Sequence, residues 1–239
     1  MASTRLVFAC DVSEPGLGRH LINLAAPEID VVKTGLEAMT AEDDMGETLA
    51  RGFRIRAQEL GKGCMWDMKL LDIGNTMAAA VRNIVRHGST LFTLHAMASN
   101  DALQAVVQAT AGTKSLPLAV TVLTDLDDPQ CISRFGVDSN TSVLHFAKIA
   151  YDCGIRGFVC SAKEARAIRD KFPDVVIVTP AIRPLWAVGK DEQKRVTTPT
   201  EAAQAGADYI VVGRPISNPP LSMNHRQAAR EIREELLAA

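Results

Sequence analysis

Short apolar runs recur along this chain at intervals that leave room for a helix between neighbours, and no other feature constrains its fold as strongly. Eight runs read as strands: Arg5–Asp11, Ile29–Gly35, Gly63–Lys69, Leu91–His95, Leu118–Thr124, Gly157–Ser161, Val175–Pro180 and Tyr209–Gly213. Each is nearly continuous in its hydrophobicity and rich in β-branched residues, as parallel strands covered on both faces are. Amphipathic stretches between them are predicted as helices: Ala41–Leu60, Thr76–His87, Asn100–Thr110, Thr141–Asp152, Ala162–Lys171 and Pro199–Gly206, with Asn224–Leu237 closing the chain. Eight β-then-α units in 239 residues predict an α/β fold, the TIM (β/α)8 barrel. No linker or low-complexity tract divides residues 1–239, so one domain is expected. A doubly wound sheet is the alternative, but its first turn should carry a glycine-rich fingerprint, and Asp11-Val12-Ser13-Glu14-Pro15-Gly16 has none.

Such barrels place their active sites at the carboxyl ends of the strands. Those ends carry Asp11, Lys33, Asp67 with Lys69, His95, Thr124, Ser161, Pro180 and Gly213-Arg214, whereas the opposite ends are largely apolar. Asp67 and Lys69 are two apart and project from one face of a strand, and Asp72 follows in the next turn. Taken alone, Asp67 and Lys69 read as a half-exposed edge pair, and Asp72 or Asn75 as a helix cap. Lys33 interrupts a core-like run, and a buried lysine needs partners. Asp67 and Asp72 are the expected ones. Backbone N–H groups at Gly213-Arg214, a short following helix and the Arg214 guanidinium suit a phosphate. The polar connection from Arg183 to Arg195 reads as a lid or as a plain surface loop, with Trp186 covering the site or lying on the surface.

Composition narrows the function classes. A net charge of −2 provides no field for nucleic acid or an anionic membrane. No apolar run approaches a membrane span, and the N-terminus enters a strand with no signal-peptide core. Five cysteines, odd in number and without metal-ligand spacing, read as small buried hydrophobes of a reduced, cytoplasmic protein.

The pieces together resemble the orotidine 5′-monophosphate decarboxylase family. They are Ala9-Cys10-Asp11, Val32-Lys33-Thr34-Gly35, the run Asp67-Met68-Lys69-Leu70-Leu71-Asp72-Ile73-Gly74-Asn75-Thr76, His95-Ala96, Val120–Thr124, Thr179–Pro184, Gln193–Val196 and Val212–Ile216, all in family order. The resemblance implies a catalytic array of Lys33, Asp67, Lys69 and Asp72, with no cofactor and no metal. It implies a homodimer in which Asp72, Ile73 and Thr76 reach the neighbouring subunit's site. Asp11 and Lys33 would contact the ribose. Gln193, Arg214 and Gly213 would hold the phosphate with Arg183 near the loop base, and Thr124 and Pro180 would border the pyrimidine. Three positions depart from the family pattern. Ala181 stands for the usual glycine and Gly74 for the usual proline, both expected to be tolerated because the residues are small. Leu126 stands where a hydroxyl residue is common.

The related sugar-phosphate branch of the same fold shares D-x-K-x-x-D but uses magnesium, with a glutamate in place of Lys33. A charged lysine cannot ligate a metal, which disfavours that branch. A degenerate barrel kept for binding, or a generic sugar-phosphate isomerase, would leave the four charged residues without an account.

Overall fold

The computed structural model describes residues 3–187 and 197–239. Among these, eight parallel strands close into a barrel in sequence order: β1 (Arg5–Ala9), β2 (Val31–Thr34), β3 (Gly63–Leu70), β4 (Leu91–His95), β5 (Leu116–Val120), β6 (Gly157–Val159), β7 (Val176–Thr179) and β8 (Tyr209–Val212), which returns to pair with β1. The first half of the chain adds helices α1 (Pro15–Ala25), α2 (Leu36–Thr40), α3 (Leu49–Glu59), α4 (Gly74–Arg86) and α5 (Asn100–Thr110). The second adds α6 (Asp128–Phe135), α7 (Ser139–Asp152), α8 (Ala162–Lys171), α9 (Pro199–Gln204), α10 (Arg214–Ser217) and α11 (His225–Leu237). The expected TIM barrel is the observed fold.

Alternation along the strands sorts the core into layers. One cluster holds strand residues alone, among them Val7, Ala9, Val31, Met65, Leu91, Leu118, Val178, Tyr209 and Val211, and fills the barrel interior. The opposite faces of the same strands, including Phe8, Val32, Phe92, Phe158 and Ile210, pack outward against the helices. Phe8, Phe53, Phe92 and Phe158 are fully buried, and truncating any of them to alanine costs about 3–5 kcal/mol. At the lower end of the barrel the Arg5 guanidinium caps the Tyr209 ring at 4.0 Å.

The structure corrects three expectations about local elements. The helix expected over Ala41–Leu60 begins only at Leu49. Before it, the Asp43 carboxylate accepts from the N–H groups of Met45 and Glu47, Gly46 turns at φ 72°, and Glu42 bridges to Thr48. Such side-chain bonds satisfy the backbone in a turn and compete with helix. Three helices absent from the sequence reading are present, α1, α2 and α6, and two of them announce themselves by their caps. Glu14 accepts from Gly16 and Leu17 at the start of α1, with Pro15 in its first turn. Asp127 and Gln130 form a capping box on α6. Finally, β5 begins at Leu116 and ends at Val120, so Thr124 lies on the loop beyond it rather than at a strand end.

Candidate active site

Lys33, Asp67 and Thr93 follow Val31, Met65 and Leu91 by two residues, so all three point into the barrel one layer above its apolar interior. Lys33 is only 7% exposed. Its Nζ lies 3.1 Å from each carboxylate oxygen of Asp11 and 3.2 Å from Asp67 Oδ2. The other Asp67 oxygen meets Lys69 Nζ at 2.9 Å and accepts from the Thr93 hydroxyl at 2.9 Å. Asp11, Lys33, Asp67 and Lys69 thus form one line of alternating charge across β1, β2 and β3. Asp11 also accepts from the Gly35 N–H at 3.2 Å. A Cβ on Gly35 would stand 2.8 Å from that carboxylate oxygen, which is why the chain carries glycine there.

Burial and pairing pull these groups in opposite directions. Burial by itself would lower the Lys33 pKa, but Asp67 and Asp11 outweigh it and the lysine is held above its ordinary value. Burial would raise Asp67, yet Lys33, Lys69 and the two hydrogen bonds to its carboxylate hold it below the usual range. Both stay charged at neutral pH. His95, at the end of β4, is pushed below the ordinary histidine value by burial and then by Lys69. Its Nδ1 is buried and has no hydrogen-bond partner among the described residues. Burial also drives the Cys10 thiol, next to Asp11, up to about 12, so it stays protonated and inert.

Asp72 does not join this line among the described residues, contrary to the expectation that it would partner Lys33. It is exposed, and its carboxylate accepts from the N–H of Ile73. It sits in the turn between β3 and α4, and the second partner of Lys33 is Asp11 instead. Ile73 and Thr76 are exposed beside it.

Two cavities share Lys33, Asp67, Pro180 and Val211. The smaller, about 170 Å³, is also lined by Lys69, Met65, Val120, Val122, Thr124 and Val159. The larger, about 420 Å³, reaches from Asp11 to Ala181, Arg183, Gly213, Arg214 and Ser217. Arg183 is 5% exposed, and its backbone N–H donates to Thr197 across the base of the connection after β7. Trp186 packs on the outer core and borders a groove next to Arg183 and Arg214. Gln193 lies outside the described residues. Ser161 is not part of either cavity; its hydroxyl caps α8 by accepting from Lys163. Leu126 packs against the core, which leaves Thr124 as the polar group of that loop at the smaller cavity.

Ala181 needs correction on its reason. Its small size was expected to make it an adequate substitute for glycine, but its backbone sits at φ 65°. The left-handed region penalises any Cβ, whatever its size.

Apolar space beside a lysine, joined to a pocket bordered by two arginines at the carboxyl ends of the strands, has the layout of a barrel enzyme's site. The comparisons with known proteins agree with that class. A family model described as orotidine 5′-phosphate decarboxylase / HUMPS family matches residues 4–232, and the chain belongs to that family. It is similar to the orotidine 5′-phosphate decarboxylase of Syntrophomonas wolfei subsp. wolfei, 35% identical over 246 residues that cover 98% of each chain. It is equally similar, at 35% identity, to that of Heliobacterium modesticaldum, over 98% of this chain and 96% of the relative. Among solved structures, the orotidine 5′-phosphate decarboxylase of Lactobacillus acidophilus superposes with a TM-score of 0.76 at 26% identity, covering 98% of this chain and 99% of that one.

Proposed function

We propose that the protein decarboxylates orotidine 5′-monophosphate to uridine 5′-monophosphate and CO2, the last step of pyrimidine nucleotide synthesis. Lys33 carries this reading against the sugar-phosphate branch of the family. A buried ammonium 3.2 Å from Asp67 already supplies positive charge where that branch uses a glutamate with magnesium. A divalent cation brought to the same carboxylates would be repelled by it.

The chemistry asks for what the array offers. Loss of CO2 leaves an electron pair on carbon 6 with no adjacent carbonyl to take it up, so the protein must stabilise that charge itself. The Lys69 ammonium faces the carbanion that C–C cleavage leaves, and one of its protons then forms the new C–H bond with that electron pair. Solvent then reprotonates the amine. Asp67 stands beside the departing carboxylate, where two like charges about 4 Å apart repel by roughly 1–4 kcal/mol at effective dielectric constants of about 80 to 20. That repulsion disappears as neutral CO2 forms. Binding of the phosphate by Arg214, Arg183, Gly213 and Gln193, and of the ribose by Asp11 and Lys33, offsets the unfavourable contact. Thr124 and Pro180 border the ring.

The active form is read as a homodimer, with Asp72, Ile73 and Thr76 of one subunit completing the other's site. Leu71, Ile73 and Met97 leave 50–70% of their surface exposed on loops at this end of the barrel, which supports a covered face there. All five cysteines are buried, which fits small core residues of a protein in a reducing cytoplasm.

Loss of orotidylate absorbance with purified protein, with and without excess EDTA, tests the reading. Turnover unaffected by EDTA is expected. No turnover at any enzyme concentration would overturn the substrate, and turnover abolished by EDTA would overturn the metal-free mechanism.

A further inference from the structure

β3 and β4 fall out of step at the site. Trp66 pairs with Phe92 and Leu70 pairs with Leu94, so three residues on β3 face only Thr93 on β4. The surplus is absorbed by a bulge in which Lys69 adopts φ 51°. The Lys69 N–H then bonds to the Thr93 hydroxyl oxygen at 2.9 Å. The same hydroxyl donates its hydrogen to Asp67 Oδ1, the oxygen that meets Lys69 Nζ. A threonine has one hydroxyl hydrogen to give, and here it goes to Asp67 while one of the oxygen's two lone pairs accepts from Lys69. Thr93 is 1% exposed and lines neither cavity, so it acts on a ligand only through its neighbours.

We propose that Thr93 is a positioning residue for the reaction: its single hydroxyl holds the Lys69 backbone and the Asp67 carboxylate in the relative placement that proton delivery requires. The assignment rests on the decarboxylase reading above. Valine has the same shape but can neither accept from Lys69 N–H nor donate to Asp67. Serine can do both, with a looser χ1. The carboxylate that Thr93 steadies also faces Lys33 from β2, Lys69 from β3 and His95 from β4, with Asp11 beyond Lys33. The Thr93 hydrogen bond is one of the interactions that keep Asp67 ionised. Its loss moves the acid limb of the pH profile upward.

Steady-state kinetics on orotidylate across pH, with the wild type, Thr93→Val and Thr93→Ser, test this. The valine variant should lose about 10- to 100-fold in kcat, the scale of one hydrogen bond to a charged group, with KM within about twofold of wild type. Its acid limb should rise, and serine should restore both properties to within about threefold. If the valine variant fails to fold, Thr93→Ala replaces it under the same criteria, because the vacated space admits solvent to the Lys69 N–H. A folded variant lacking the hydroxyl but keeping wild-type kcat, or losing kcat without a change in the acid limb, overturns the assignment and leaves the decarboxylase reading intact. A wild type inactive on orotidylate overturns both.

Discussion

Lys69 Nζ reaches Asp67 Oδ1 at 2.9 Å from two residues away on one strand, through a backbone turned to φ 51° at the lysine. A regular strand advances about 3.3 Å per residue, which separates the Cα atoms of such a pair by roughly 6.6 Å and leaves their side chains side by side. The bulge re-aims Lys69 so that its ammonium stands both against Asp67 and at the wall of the smaller cavity. A non-glycine residue in that conformation costs about 1–3 kcal/mol, and such strain persists where function requires the geometry.

Lys69→Ala removes the group assigned both electrostatic and proton-transfer roles. Turnover should fall at least about 10³-fold, since each role contributes on the order of 10²-fold or more. Asp67 retains Lys33 and Thr93, so thermal unfolding should change little. Near-normal kcat in this variant would remove Lys69 from the mechanism.

Arg214→Ala should raise KM for orotidylate by about 10- to 100-fold, the value of a charge-assisted contact to phosphate. The same variant should treat orotidine, which has no phosphate, like the wild type does. Equal losses on both compounds would mean that Arg214 does not grip the phosphate.

Asp67 and Lys33 make stability depend on pH at opposite ends. The Asp67 pKa is depressed on folding, so its contribution is present above the unfolded carboxylate value near 3.8 and is lost as pH falls through the folded value. The Lys33 pKa is raised, so its contribution is complete below 10.5 and is lost as pH climbs past it. Asp67→Asn leaves Lys33 with Asp11 alone and should cost about 3 kcal/mol at pH 7. Denaturant titrations should show that difference shrinking below about pH 4, where the unfolded carboxylate takes up its proton first, and vanishing once the pH has fallen through the depressed folded value. A difference independent of pH would mean the loss comes from packing rather than charge.

Ala181→Gly should stabilise the fold by about 0.5–1 kcal/mol, because relief of the left-handed strain at φ 65° exceeds the entropy glycine adds to the unfolded chain. That corresponds to a rise of roughly 2 °C in Tm for a chain of this size. Ala181→Val should lower Tm. An unchanged or lower Tm in the glycine variant would show that this backbone is relaxed as it stands.

Asp72→Asn and Lys69→Ala should each be inactive alone, yet regain activity when the two are unfolded and refolded together. If Asp72 serves the neighbouring site, a mixed dimer has both lesions in one site and an intact second site. Absence of recovery, with mixed dimers demonstrated by mass, would place Asp72 in its own subunit's site.

Much of this was legible in the chain because strand periodicity is local. The two-residue repeat alone puts Lys33 above Val31 and Asp67 above Met65, and an apolar strand that ends in a charge announces a site. Strand β4 and helices α5 and α8 were bounded to the residue for the same reason, since hydrophobic period and caps are written in neighbouring positions. Pairing across the barrel is not local. That Lys33 bonds Asp11 rather than Asp72, that Thr93 ties Lys69 to Asp67, and that Ala181 and Lys69 turn left-handed depend on which strands lie side by side and in what register. The sequence by itself determined the alternation, the barrel and the charged residues available. Only the closed tertiary structure decided which charges meet, because a register between β3 and β4 is set by the whole ring of strands and not by either strand alone.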